Sequence, residues 1–197
     1  MVINTHVEEV TIRVKSIFNE DKTKRYMRTY EFTDVEDGVI CAVIIYSPRM
    51  SDAFLSGTTT QRAYMLMQNH LSQPIREMRV ISLVPTLAIN DNLPYVESQL
   101  DETNYHYVEE TLQEVEASGG MIIVGWGSPG RLMHHATSYK SLFADYEAIM
   151  YCIGTTAKGE PQQIRMANEN TVLEAFNNES VKPKFRIVKE TKKDDSP

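Results

Sequence analysis

The run VICAVIIYS, Val39 to Ser47, constrains the fold more than any other segment. A half-buried strand alternates apolar and polar residues, whereas this run is apolar at successive positions and has to be covered on both faces. It therefore reads as a central strand of a parallel sheet. EMRVISLVP, MIIVGW and EAIMYCIG have the same character and give three further strands. Between them lie helical patterns. TTTQRAYMLMQNHL sets Ala63, Leu66, Met67, His70 and Leu71 at helical spacing, with a threonine among Thr58 to Thr60 as N-cap and Pro74 beyond the end. DETNYHYVEETLQEVEAS sets Val108, Leu112 and Val115 on one face and stops at Gly119-Gly120. Ser128 caps a third helix with Pro129 in its first turn and Leu132, His135 and Leu142 facing inward.

This alternation predicts an α/β fold: three layers, a mostly parallel four-stranded central sheet, and helices on both faces. Ahead of it, EVTIRVKSIF and RYMRTYEF alternate with period two around the polar link NEDKTK and predict an N-terminal β-hairpin that precedes the sheet. With 197 residues, 42% of them hydrophobic, the chain can bury roughly 70% of its unfolded surface, so one domain over residues 1–188 is expected. The tail KETKKDDSP, 189–197, is too charged to fold alone and is expected to be disordered.

Cys41 and Cys152 both sit in apolar runs and are expected to be free core thiols, which fits a reduced, cytoplasmic setting. The opening MVINTHVEEV has glutamates where a signal peptide is apolar, and no run approaches the ~20 apolar residues of a membrane span, so no membrane partner is expected. A net charge of −7 argues against a surface that grips nucleic acid everywhere, while leaving room for a local basic groove. Lys22, Lys24, Arg25 and Arg28 form one basic cluster, and Lys182, Lys184, Arg186, Lys189, Lys192 and Lys193 form another. Both read as solvated faces.

In an open parallel sheet, ligands bind beyond the carboxyl ends of the strands. The loops there are SPRMSD (47–52), SLVPT (82–86), GWGSPG (125–130) and GTTAKGEP (154–161), all rich in hydroxyls, glycine and proline. Gly125, Gly127 and Gly130 spell G-x-G-x-x-G, but the next strand ends in Gly154-Thr155-Thr156 without the acidic residue that a ribose requires, and Asp145 and Glu147 lie before it. No dinucleotide or other cofactor is expected. A helix start at Ser128 suits an anion. Beside it, Trp126 either stacks on a base or sugar from a partly exposed position at the sheet edge or fills the gap between sheet and helix. His134-His135 has no metal-ligand spacing, and Ser47 lies in no G-x-S-x-G elbow. Asp52 is the carboxylate of the first loop, fit for a general base or a loop cap.

Together the loops resemble a family of bacterial and phage proteins called domain of unknown function 1643, over about residues 25 to 165. Its pattern runs Asn-Pro-Ser-x-Ala-Asp after the first core strand, Asp-Pro-Thr, Asn-Leu-Phe after the second strand, an asparagine opening the long helix, Trp-Gly, and Gly-x-Thr-x-x-Gly-x-Pro-x-His-Pro. Pro48, Asp52, Thr59, Asn104, Trp126, Gly127, Gly154, Thr156, Gly159 and Pro161 match it. Ser47, Ser82 and Gln163-Ile164 depart from it, standing for the two asparagines and the His-Pro. The family in turn is similar to the uracil-DNA glycosylase fold, where a first loop positions water and a late His-Pro loop stabilises charge on the leaving base. The resemblance implies a pocket for a flipped nucleobase, with Asp52 and Asn104 as catalytic candidates. Ser47, Pro48, Thr59, Trp126, Gly127, Ser128, Gly154, Thr156, Gly159 and Pro161 would contact a nucleotide or nucleic acid. The departures fall on the groups best suited to catalysis, and leave as the alternative a non-catalytic interaction or regulatory protein of phage or mobile elements.

Overall fold

The computed structural model describes residues 10–48, 57–87, 101–127, 136–157 and 159–177. Among these residues seven strands form one sheet: β1 (Ile12–Phe18), β2 (Arg25–Phe32), β3 (Val39–Ile45), β4 (Ile75–Ser82), β5 (Ile122–Val124), β6 (Met150–Cys152) and β7 (Glu174–Ala175), in the order β1-β2-β4-β3-β5-β6-β7. Among the described residues the α-helices are α1 (Thr58–His70), α2 (Glu102–Ala117) and α3 (Ala136–Ala144). Pairing is parallel for β4-β3, β3-β5 and β5-β6 and antiparallel for β1-β2, β2-β4 and β6-β7.

This mixed seven-stranded sheet corrects the expected fold class, a mostly parallel four-stranded sheet preceded by a separate hairpin. The hairpin is part of the sheet. Its second strand lies antiparallel on β4, from Met27 opposite Ile81 to Glu31 opposite Glu77, and so pairs backbone groups that an open parallel edge would leave bare. At the other edge β7 is two residues long, too short to carry a periodic signal.

The double-sided apolar run explains the packing. Alternate residues of β3 enter two cores: Val39, Cys41 and Val43 join Ala63, Leu66 and Met67 of α1, while Ile40, Ala42 and Ile44 join Val108, Leu112 and Val115 of α2 and Tyr139, Leu142 and Phe143 of α3. Each fully buried Val43 or Ile44 contributes about 1.5–3 kcal/mol through removal of apolar surface from water. His70, grouped with the apolar face by spacing, is exposed and lies tilted against Tyr151 with ring centroids 4.6 Å apart.

Helix α2 is capped by Asp101, whose carboxylate accepts from the Asn104 backbone N–H at 2.9 Å. Helix α1 differs from expectation: its N-cap is Gly57, with no side-chain cap bond, and Thr58 to Thr60 fall inside the first turn. Asp52, the helix start at Ser128 and Pro129, Leu132, His135 and the tail 189–197 lie outside the described residues. Among those described, no helix is long and apolar enough to cross a membrane.

Candidate functional site

Because β4, β3, β5 and β6 are parallel, their carboxyl ends meet at one edge. The loops there are tied together by backbone bonds. Leu83 N–H donates to Ile45 O at 3.0 Å, Gly125 N–H to Ile44 O at 2.9 Å, and Gly127 N–H to Pro161 O at 2.9 Å. The fourth loop closes on itself, with Thr156 N–H donating to Glu160 O at 2.8 Å and Gln162 N–H to Gly154 O at 2.9 Å.

The glycines around Trp126 follow from that last loop. A Cβ on Gly125 would lie 2.5 Å from Ile164 Cγ1, and one on Gly127 would lie 2.7 Å from Gln163 Cγ. Gly127 also has φ +78°, which side chains rarely tolerate. The segment Pro161 to Ile164 thus crosses the end of β5 at a distance only glycine permits. This close crossing accounts for the glycines of the G-x-G spelling at these two positions.

Trp126 is core. It is 5% exposed, stacks on Phe143 at 5.8 Å between centroids, and meets Phe176 edge-on at 5.4 Å. Its indole N–H donates to Glu160 Oε2 at 2.6 Å. Of the two alternatives for this ring, the gap-filler holds and the exposed stacking platform is corrected. The apolar area of an indole is worth more between sheet and helix than at the rim, once its single donor has a buried acceptor.

Asn104, in the first turn of α2, is 0% exposed. Its Nδ2 donates to Ser82 O at 2.8 Å and to Tyr139 Oη at 3.0 Å, and the Tyr139 hydroxyl lies 3.4 Å from Leu83 O as donor. The two carbonyls fix the amide orientation, since a turned amide would set oxygen against oxygen. Asn104 Oδ1 then has no hydrogen-bond partner among the described residues, although it is buried. Burial pushes the Tyr139 phenol well above its ordinary range, against the lowering effect of the bond from Asn104. Lys24 Nζ reaches Asp101 Oδ2 at 2.6 Å, joining the start of β2 to the cap of α2.

A chain of contacts links the two centres: Asn104 to the Tyr139 hydroxyl, the Tyr139 ring to Phe143 at 5.7 Å, Phe143 to Trp126, and Trp126 to Glu160. Ser47 is half-buried and Pro48 buried just after β3; Gly154, Thr156 and Gly159 are half-buried and Pro161 buried in the fourth loop. Thr59 opens α1, the helix packed in the other core, and so stands across the sheet from Asn104. Asp52 and Ser128 lie outside the described residues. Glu160, Tyr139 and Asp101 are the additions. Asp101 could have been found as an N-cap three residues before Asn104, and Tyr139 by its helical spacing with Leu142 and Phe143. Nothing in the sequence separates Glu160 from an ordinary loop carboxylate.

The architecture is an α/β fold with a mixed sheet and a polar cluster buried under the carboxyl edge of its parallel strands. A family model described as "Protein of unknown function (DUF1643)" matches residues 25–162, more than two-thirds of the chain, and the chain belongs to that family. No curated protein matches it.

Proposed function

We propose that the chain is a nucleobase- or nucleotide-binding domain whose site lies at the carboxyl edge around Asn104. The observation that carries this reading is the buried Asn104 Oδ1, which has no hydrogen-bond partner among the described residues. An orphaned buried acceptor costs about 1–3 kcal/mol, and a ligand that donates an N–H there offsets the cost. Nucleobases carry such donors on their pairing edges, and a site built to accept one discriminates strongly against analogues lacking it. The amide nitrogen is already committed to Ser82 O, so the ligand is a donor at this point. Glycosylase-like chemistry belongs to the same reading: Asp52 would prepare water and the fourth loop would face the leaving base. The buried thiols Cys41 and Cys152 agree with a reducing, cytoplasmic setting.

The second reading, a non-catalytic interaction protein of phage or mobile elements, is favoured by two features. Trp126 is enclosed, and Gln163 stands where the family pattern has histidine, with its side chain against Gly127. A thermal-shift screen of nucleobases, nucleotides and short oligonucleotides, one series containing uracil and assayed for base release, decides between them. A ligand at 100 times its Kd adds about 2.7 kcal/mol, or roughly 5–10 °C for a chain of this size. If no compound in the screen moves the melting temperature, the binding reading fails.

A further inference from the structure

The second basic cluster begins in VKPKFRIVK, 181–189, which carries Lys182, Lys184, Arg186 and Lys189 and no carboxylate. Phe185 and Ile187 alternate with Lys184 and Arg186, so an extended segment of this sequence has an apolar side and a cationic side. The fold fixes where the chain sets out toward it. Strand β7 runs antiparallel to β6, with Glu174 opposite Cys152 and Ala175 opposite Tyr151, and Phe176 N–H then donates to Met150 O at 2.9 Å. Each step carries the chain back toward the amino end of β6, where the short 3-10 helix Glu147–Ile149 touches β7. Phe176 is buried in the core on the α2 and α3 side of the sheet, so Asn177 leaves the sheet beside that turn.

The surface next to this exit is acidic. On α2, Tyr105, Glu109, Gln113 and Glu116 recur at helical spacing and form one stripe. The Tyr105 ring lies tilted on Tyr139 of α3, with centroids 5.6 Å apart, so the stripe runs along the shoulder that faces α3. Asp145 and Tyr146 follow α3 and lead into the 3-10 helix. Tyr146 and Ile149 are half-buried and pack on the core, while Asp145 and Glu116 are exposed. Burial, and then the charges of Glu116, Asp145 and Glu109, raise the Tyr146 phenol above its ordinary value, against the lowering effect of Gln113. Three carboxylates therefore act on one ring. Among the described residues no ion pair reaches Glu109, Glu116 or Asp145, whereas Glu31, Glu77, Asp101 and Glu114 each hold a cation.

We propose that the segment 182–189 of this same chain docks in extended form on the acidic shoulder between α2 and the Glu147–Ile149 helix, its apolar side toward Tyr146 and Ile149 and its cations toward Glu109, Glu116 and Asp145. The chain from Asn177 to Phe185 reaches up to about 26 Å when extended, and Glu116 and Glu109 are about 10 Å apart along α2, so the segment can span the stripe. Lysine and arginine lay their stems on apolar surface while their charged heads reach to either side. A single exposed ion pair contributes little, but several cations on one rigid acidic face act together. Any basic peptide would meet the same charges; this segment is tethered at the edge of the face, which raises its effective concentration there above that of a free partner. The shoulder lies away from Asn104, and the proposal stands independently of the nucleobase reading.

Limited trypsin digestion of the full chain tests it, with a synthetic peptide of residues 178–197 as the reference for the same bonds. Cleavage after Lys184 and Arg186 is expected to be about 10-fold or more slower in the full chain than in the peptide at low salt, and to approach the peptide rate in about 1 M salt. Combining Glu109→Gln, Glu116→Gln and Asp145→Asn should remove the protection. A carbodiimide, which joins amines to carboxylates in contact, should link Lys184 to one of the three carboxylates with a yield independent of protein concentration. Should the triple variant not fold, the salt series and the cross-links of the wild type decide. Equal rates in chain and peptide overturn the proposal. So does protection that survives the triple substitution, because the segment is then held elsewhere. Cross-links that form only between copies, and fade on dilution, overturn it in favour of a second copy as the occupant.

Discussion

Trp126 and Glu160, 34 residues apart in sequence, meet inside the protein through an indole N–H and a carboxylate oxygen 2.6 Å apart. The bond fastens the loop after β6 to the end of β5, with Phe143 stacked on the ring and Phe176 at its edge.

Replacing this ring should therefore be a stability event. Trp126→Ala is expected to cost about 3–5 kcal/mol by leaving a cavity. Trp126→Phe keeps most of the volume but removes the donor to Glu160, for about 1–3 kcal/mol. Urea unfolding measures both, and a Trp126→Ala protein within 1 kcal/mol of wild type, by the same scale of effects, would contradict the core assignment.

Asn104 should tolerate loss better than charge. Asn104→Ala removes donors from Ser82 O and Tyr139 Oη and should cost about 1–3 kcal/mol. Asn104→Asp sets a carboxylate oxygen against the Ser82 carbonyl, and an uncompensated buried charge costs about 3–5 kcal/mol. The order of the two unfolding midpoints is the check; equal midpoints would mean that the amide nitrogen is not held as described.

Tyr139 sets an alkaline limit. Its pKa in the folded protein is raised by burial above the ordinary value of 10.0. Above that pH the unfolded chain gives up the phenolic proton while the native state keeps it, so the native state binds more protons and its stability falls as pH rises. The contribution is complete below pH 10 and declines from there toward the raised value. Unfolding free energies measured between pH 8 and about pH 11.5 should drop less steeply in Tyr139→Phe than in wild type. Parallel curves would remove Tyr139 as the cause.

The two thiols should be silent in the native protein. Both are buried on opposite sides of the sheet, and burial pushes Cys41 up to about 11. A chromogenic disulfide reagent at pH 8 should therefore titrate neither until denaturant is added. Fast labelling of either in native buffer would show that its side of the core opens readily.

What the sequence disclosed divides along the range of the interactions. Runs such as VICAVIIYS and EMRVISLVP announce buried strands because both faces are apolar, and α2 announces itself through Val108, Leu112 and Val115. Pairing partners are less visible. Nothing within RYMRTYEF says that it will lie antiparallel on β4, and Glu174–Ala175 is too short for any pattern. The site shows the same division. Asn104 and Trp126 are conspicuous as residues, but whether a ring is enclosed depends on Phe143, Phe176 and Glu160, which the chain supplies from three other places. In the first basic cluster Lys22 is exposed as its charge suggests, but Arg25 and Arg28 are 6% and 4% exposed, and the register shift at Tyr26 in β2 beside them leaves no mark in composition.

The matched family span also bears on how the sheet is kept from self-association. It begins at Arg25 and ends at residue 162, so β1 and β7, the outermost strand on each side, both fall outside it. These two strands cover the free backbone edges of β2 and β6. A chain trimmed to the matched span would present two uncapped rows of amide and carbonyl groups, one along the apolar β6, and copies would tend to zip together there. The least family-like parts of this chain thus act as its guard rails against aggregation.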